Sequence, residues 1–372
     1  MSILLVAPGL SNPSTLWMRR QLEMICDEVG CLVTDVDDAR NYFPKLKFIL
    51  LKASRGFISN RIAHYFNLLQ LLRAIHSKNI TVILIHYATT AVSFKKVLLT
   101  TQKPIFIHCH GYDVTWNAKS AGVPMHGDRY VAQILSMPDN VIFIGNSKKT
   151  IQRLVDIGIP QKRIVLKYLG VEVPDAYSGS CLKTEKLTVL YLGRLVDFKG
   201  PDLVIRAFEV ACYKGFEGVL VVAGDGPLRQ TCELLRAHSP FKDRITLLGA
   251  VDTKKGEKLR GKADIFTAHN CTGPLSGQEE AFGVTIIEAM AAGVSIVNAS
   301  NGSIPELLEN GFDSILVESG DIEGHASALL KLQDNPEYRR KISKNAWKKV
   351  HDKFSLVQER QKLRKILFLD EV

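Results

Sequence analysis

The chain reads as an α/β protein of two domains, each built on a parallel sheet, and three observations lead there. Short apolar runs alternate with helical patterns along the sequence, the order that lays helices over parallel strands. With 372 residues, 46% of them hydrophobic, and no low-complexity tract, the chain is longer than one core usually holds. The segment Gly170-Val-Glu-Val-Pro-Asp-Ala-Tyr-Ser-Gly-Ser180 has the composition of a hinge. The expected boundaries are 1–172, 173–350 and a terminal helix over 351–372.

In the first half, Ser2 to Pro8 is a short apolar run ended by Pro-Gly, a buried parallel strand. The loop Gly9 to Thr15 leads into a helix over Trp17 to Val29, with Ser14 or Thr15 at the N-cap. Cys31 to Val36 is a second strand, followed by Asp35-Val-Asp-Asp38. An Asp-x-Asp there could hold a divalent metal on a diphosphate, and an acid ending a second strand could read the ribose of NAD. The first loop lacks Gly-x-Gly-x-x-Gly, so solvated loop acids are the preferred reading. Residues 44–57 are basic and aromatic and are read as surface, and Arg61 to Lys78 is a helix whose Leu68, Leu69, Leu72 and Ile75 face the core. Strands follow at Val82 to His86 and Pro104 to His108. His108-Cys-His110 places two rings on one face, as in some metal sites, but no third ligand is evident nearby in the sequence. Val141 to Asn146, the helix Lys148 to Ile157 and the edge strand Ile164 to Tyr168 close this half.

The second half opens with a strand at Leu187 to Leu192 and the loop Gly193-Arg-Leu-Val-Asp-Phe-Lys-Gly200. Arg194 can give two hydrogen bonds to phosphate oxygens and Lys199 a mobile point charge; the bland alternative is two solvated cations. Strands at Gly218 to Gly226, Arg244 to Val251, Asp264 to His269, Val294 to Asn298 and Ser314 to Val317 alternate with helices, and two basic helices end the chain at Tyr338 to Lys353 and Leu356 to Phe368. Between the strands Asp264 to His269 and Val294 to Asn298 lies Gly277-Gln-Glu-Glu-Ala-Phe-Gly-Val-Thr-Ile-Ile-Glu-Ala-Met-Ala-Ala-Gly293. It sets Glu280 and Glu288 across the start of a helix bounded by Gly283 and Gly293. Free N–H groups around Phe282 to Thr285 suit a phosphate, and two carboxylates suit hydroxyls. A sugar nucleotide has both. The competing reading is an acid favoured by the helix dipole and another on a solvated face.

The Glu-x7-Glu pattern with Ala-Phe-Gly, the His-Gly-x-Asp at His110 to Asp113 and the Gly193 to Gly200 segment resemble the motifs of family-four retaining glycosyltransferases. That resemblance implies the GT-B fold: two Rossmann-like domains with parallel sheets facing across a cleft, and a terminal helix crossing back to the first. It implies that Glu280 faces the donor sugar, that Glu288 holds the nucleotide ribose, and that Ala281, Phe282, Gly283, Val284 and Thr285 line the donor. Gly249 and Val251 would touch the base, and Arg194 and Lys199 the diphosphate. In the first domain His110 would orient a sugar hydroxyl, Asp113 would fix the loop or the acceptor, and Ser14 and Thr15 would meet the acceptor. No cofactor or metal is expected, the nucleotide-diphosphate sugar being a co-substrate.

Charge adds a partner. Residues 1–172 carry 21 lysines and arginines against 11 acids, whereas residues 173–372 carry 27 of each. From Ala39 to Tyr112 there is no carboxylate, while Arg40, Lys45, Lys47, Lys52, Arg55, Arg61, Arg73, Lys78, Lys95, Lys96 and Lys103 are cationic and interleaved with aromatics. An anionic membrane surface met through residues 40–103 is the expected partner, in preference to nucleic acid, for which no motif appears. Seven scattered cysteines give neither a disulfide framework nor a zinc pattern, and no leader or spanning segment is evident. A cytoplasmic enzyme, peripheral on the inner face of the cell membrane, is therefore expected. Its expected reaction moves a hexose from a nucleotide-diphosphate sugar, with retention, to a hydroxyl of a lipid-linked or polysaccharide precursor. The rivals are a GT-B sugar-nucleotide epimerase and a non-catalytic sugar-nucleotide-binding protein.

Overall fold

A computed structural model describes residues 2–10, 15–35, 39–51, 57–120, 123–179 and 186–368. The chain divides into two compact units. One comprises Met1–Trp116, His126–Tyr168 and Glu359–Val372, the other Asn117–Met125 and Leu169–Gln358.

The first unit is a seven-stranded parallel sheet. In chain order its strands are β1 (Ile3–Val6), β2 (Val29–Thr34), β3 (Phe48–Leu50), β4 (Val82–His86) and β5 (Ile105–Cys109). A two-stranded hairpin of the other unit, β6 (Lys119–Ser120) and β7 (Val123–Pro124), intervenes before β8 (Val141–Gly145) and β9 (Ile164–Leu166). The spatial order is β3-β2-β1-β4-β5-β8-β9. Every residue of β1, β4 and β5 is buried, which is why these strands read as apolar runs, broken only by His86 and His108 at their carboxyl ends. Alternate residues feed two cores: Leu4, Val6, Ile83, Ile85, Ile105 and Ile107 on one face, Ile3, Leu5, Val82, Leu84 and Phe106 on the other.

Leu363, Ile366 and Leu367, from the helix Leu356–Ile366 and the residue after it, belong to that second core. Polar contacts pin the same segment. Glu359 pairs with Lys167, both fully buried, and accepts a hydrogen bond from Gln21 at 3.1 Å, while Arg364 pairs with Glu28.

Three local expectations change. The first helix spans Leu16–Ile25 and gives way to a 3-10 turn at Cys26–Glu28, so β2 begins at Val29. Thr15 stands at its N-cap, but its hydroxyl makes no cap bond and donates instead to Gly9 O at 2.6 Å. β3 lies inside the basic stretch read as surface. It pairs only with β2, at the sheet edge, and all three of its residues are half-buried. Asp35 is no idle loop acid, because its Oδ1 accepts from Gly9 N at 2.6 Å. Ser14, Asp37, Lys52 and Arg55 lie outside the described residues.

The second unit holds a six-stranded parallel sheet: β10 (Thr188–Leu192), β11 (Val219–Ala223), β12 (Ile245–Gly249), β13 (Ile265–Ala268), β14 (Ser295–Ala299) and β15 (Ile315–Val317), ordered β12-β11-β10-β13-β14-β15. The order reverses at β10, where one connection runs outward to β11 and a later one returns on the other side to β13. In open α/β sheets that reversal opens a ligand crevice beyond the strands' carboxyl ends. The core packs Val189, Tyr191, Leu220, Val222 and Ile265 against Ile205 and Phe208 of the helix Pro201–Tyr213 and Leu329 of the helix Ile322–Asp334.

Candidate functional site

At the reversal point of the second unit, the loops leaving β10 and β13 meet. The β10 loop runs through a 3-10 turn, Asp197–Lys199, to Gly200 at φ 57°, where a Cβ would stand 2.3 Å from His269 O; only glycine lets these loops approach. Asp197 ties them together. Its carboxylate accepts from Leu275 N at 2.9 Å, Ser276 N at 2.8 Å and Ser276 Oγ at 2.8 Å. The effect is to hold Lys199 and Glu280 face to face.

Those two side chains form an ion pair, both largely buried. Burial by itself would raise the Glu280 carboxyl. The charge and hydrogen bond of Lys199, the charge of Arg194 and the N–H of Phe282 outweigh it and hold the pKa below the usual carboxylate range. The backbone of Glu280 is fixed as well, since Ser303 N and Oγ both donate to its carbonyl, at 3.0 and 3.1 Å. Arg194 is exposed, with its guanidinium 5.7 Å from the centre of the Phe198 ring.

The helix after this loop spans Val284–Ala291, with Gly283 at φ 95° as its N-cap. Ala281, Val284 and Thr285 are half-buried, whereas Phe282 is buried and packs edge-on to Phe354 at 6.0 Å. Glu288 sits within the helix and is not a solvated acid: Arg260, buried in the helix Thr253–Arg260, holds its Oε2 at 3.1 Å. Nothing in the spacing had marked Arg260. Gly249, at φ 69°, lines a small pocket with Leu195, Gly224 and Leu247 at the ends of the neighbouring strands; Val251 lies just beyond and half-buried.

In the first unit, the ends of β4 and β5 bring three imidazoles together. His86 and His108 are register partners on adjacent strands. His110 follows two residues later, its ring 4.2 Å from that of His108 and its Nε2 3.1 Å from His86 Nδ1. Trp17 lies over His110 with ring centres 4.1 Å apart, and Tyr87, a non-glycine residue at φ 70°, packs against it at 4.9 Å. Burial holds all three histidines well below the ordinary pKa of about 6.5, so they are neutral at physiological pH.

Asp113 is fully buried. Its carboxylate accepts from His110 N, Gly111 N and Ala88 N, each at 2.9 Å, which gives the loop-fixing role physical content and leaves little of it for a bound acceptor. The His86 side of the cluster was missed in the sequence because it arrives from a different strand.

Two Rossmann-like α/β units with polar clusters at the carboxyl ends of their strands define a protein of the GT-B fold class. Solved structures agree. "Anabaena Alr3699/HepE in complex with UDP and glucose" aligns over 99% of both chains with a TM-score of 0.77 at 16% identity, and "lipopolysaccharide outer core galactosyltransferase WaaB apo form" over 99% of both with 0.71 at 14%. At such identities the likeness is one of fold. Residues 178–349 match the family model for glycosyl transferases group 1. Relatives include "Amylovoran biosynthesis glycosyltransferase AmsK" of Erwinia amylovora, 26% identical over 52% of this chain and 47% of that protein. Another is "GDP-mannose-dependent alpha-(1-6)-phosphatidylinositol monomannoside mannosyltransferase" of Mycobacterium tuberculosis, 28% identical over 40% of this chain and 38% of that protein. The matched part spans less than half the length of these curated relatives.

Proposed function

We propose that the protein is a retaining glycosyltransferase that moves a hexose from a nucleotide-diphosphate sugar to a hydroxyl of a lipid-linked or polysaccharide precursor. The observation that carries this reading is the Lys199–Glu280 pair with Arg194 beside it, at the reversal point within the stretch that matches the group 1 glycosyltransferase model. In the reaction Arg194, Lys199 and the N–H groups at the start of the Val284–Ala291 helix neutralise the departing diphosphate, so no bound cation is required. Glu280, kept ionised, faces the sugar, and Glu288, steadied by Arg260, grips the ribose. His110 gives a hydrogen bond to a sugar hydroxyl. The acceptor attacks from the face the diphosphate leaves, and a phosphate oxygen takes its proton, so catalysis is positioning and charge stabilisation.

Glu280→Ala should lower turnover on the order of a hundredfold, and Glu288→Ala should mainly weaken nucleotide binding. Both are measured with purified donor nucleotides, by turnover and by calorimetry with free nucleotide diphosphate. Full activity in a folded Glu280→Ala chain would refute the assignment. In the same assay EDTA should cost less than Arg194→Ala does, and loss of activity in EDTA restored by magnesium or manganese would refute the cation-free mechanism.

Docking to an anionic membrane goes with the lipid-linked form of the acceptor in this reading. No helix among the described residues is long and apolar enough to cross a membrane. The helix Phe57–Ile75 instead exposes Ile62, Tyr65 and Phe66, at 53%, 61% and 48%, at the spacing of one helical face beside Arg61. Lys45, Lys47, Arg73, Lys78 and Lys96 are exposed as well. Lys103 is spent elsewhere, capping that helix through Ile75 O and Ser77 O, and Lys95 reaches Ser136. Sedimentation with liposomes should show binding that requires anionic lipid, weakens with salt and falls in Tyr65→Ser/Phe66→Ser; equal pelleting with neutral vesicles would refute it.

A further inference from the structure

The three imidazoles of the first unit have a use that sugar transfer does not exhaust. Their ligand atoms, one from each of His86, His108 and His110, all lie within 4.8 Å of one another. A buried polar atom is normally satisfied, and one that is not calls for an explanation. His108 is completely buried and neither of its ring nitrogens has a hydrogen-bond partner; Nδ1 of His110 is also buried and unpartnered. An unpartnered imidazole nitrogen in a dry interior costs free energy, and two rings that carry such nitrogens, turned with His86 toward one point, would be a poor choice for packing alone.

We infer that His86, His108 and His110 bind a single divalent transition-metal ion of the zinc or cobalt class. Three neutral imidazoles with an open fourth position form a known coordination set for these ions. Tetrahedral metal–nitrogen bonds of about 2.0–2.1 Å need nitrogens about 3.3 Å apart. One pair already stands at 3.1 Å, and small ring rotations bring the third into range. His86 and His108 are fixed by paired strands, and His110 by the Asp113 bonds to its own and the next backbone N–H. The ion enters by the partly exposed His110. Among the described residues two charged groups stand near: Lys167, whose ammonium is neutralised by Glu359, and the Asp113 carboxylate behind the loop. Cys109 supplies no ligand, since its side chain belongs to the core on the opposite face.

Because His110 would be one of the ligands, the ion removes the imidazole assigned above to the sugar, and it acts as an inhibitor; this last step rests on the proposed transfer reaction. Metal-stripped chain is titrated with cobalt(II) and followed by its visible d–d absorption. One cobalt per chain should bind, and His86→Gln and His108→Gln, each checked by circular dichroism, should weaken binding at least tenfold while His76→Gln does not. Absence of the bands, or binding unchanged in both variants, would overturn the site. X-ray absorption on zinc-loaded unmodified chain needs no variant: three imidazole shells at about 2.0–2.1 Å are expected, and a sulfur shell or fewer imidazoles would overturn it. Zinc should lower transfer in step with occupancy. Full transfer by zinc-loaded chain would overturn the inhibition while the spectroscopic result stood.

Discussion

Each unit buries a group of histidines, and the two groups are built on opposite terms. In the second unit His269 accepts from Gly320 N at 2.8 Å through Nε2 and meets His325 Nδ1 at 2.9 Å through Nδ1, and His325 Nε2 reaches Thr267 Oγ1 at 2.7 Å. No ring nitrogen is left over. That arrangement fixes the tautomers, ties β13 to the helix Ile322–Asp334 and needs nothing from outside. In the first unit His108 has no partner at all and His110 has one free nitrogen. The lesson is that burial alone does not separate a structural histidine from a functional one; the state of its second nitrogen does.

Four substitutions or conditions test that contrast, beginning with the largest effect. The first unit also holds a buried ion pair, Lys167 with Glu359, to which the Gln21 amide donates. Glu359→Ala leaves a buried ammonium with no counter-charge and should cost about 3–5 kcal/mol in urea unfolding. His325→Leu strips partners from both Thr267 and His269 and should cost about 1–3 kcal/mol. The pH dependence follows from burial, which pushes His269 down to about 4 and His325 down to about 3. The folded state therefore binds fewer protons than the unfolded state between those values and about 6.5. Stability is fully present above about pH 6.5 and declines as pH falls toward 4, by about 1.4 kcal/mol per pH unit for each histidine held neutral. His325→Leu should flatten that decline. The smallest effect belongs to His108→Leu, which removes only unsatisfied nitrogens and in metal-free buffer should change stability by less than about 1 kcal/mol. A large loss there would mean that His108 is as structural as His325, and the contrast would fail.

What could be read from the sequence follows the reach of each interaction. The central strands were legible because burial on both faces leaves an apolar run with no polar interruption, as in Ile3–Val6. Gly283 and the Val284–Ala291 helix were legible for a similar local reason. β3 was not, since three half-buried residues between lysines carry no alternation. The short helix Ala88–Ser93 was also missed; it starts at the positive φ of Tyr87, which no propensity announces. At the candidate site, Arg194, Lys199, Glu280 and Glu288 stand inside motifs, whereas their supports do not. Arg260 reaches Glu288 from another helix, His86 reaches His110 from another strand, and Lys167 meets Glu359 across 192 positions. Pairing over such distances leaves no periodic trace. Asp197 lay in plain view in the Gly193 to Gly200 loop, but its three acceptor bonds to a segment 78 and 79 positions away become visible only when the chain is folded.

The Lys199–Glu280 pair has a consequence for turnover. With no donor present, each of these groups serves as the other's counter-ion, so neither charge waits unneutralised in a nearly dry site. In the proposed transfer an incoming diphosphate would have to compete with a carboxylate already in place for the lysine ammonium, and would do so by bringing more negative charge than one carboxylate has. As the nucleotide diphosphate left, Glu280 would recapture the lysine. In that proposal the carboxylate is an internal substitute for product, keeping the site from holding the spent nucleotide as tightly as two free cations would.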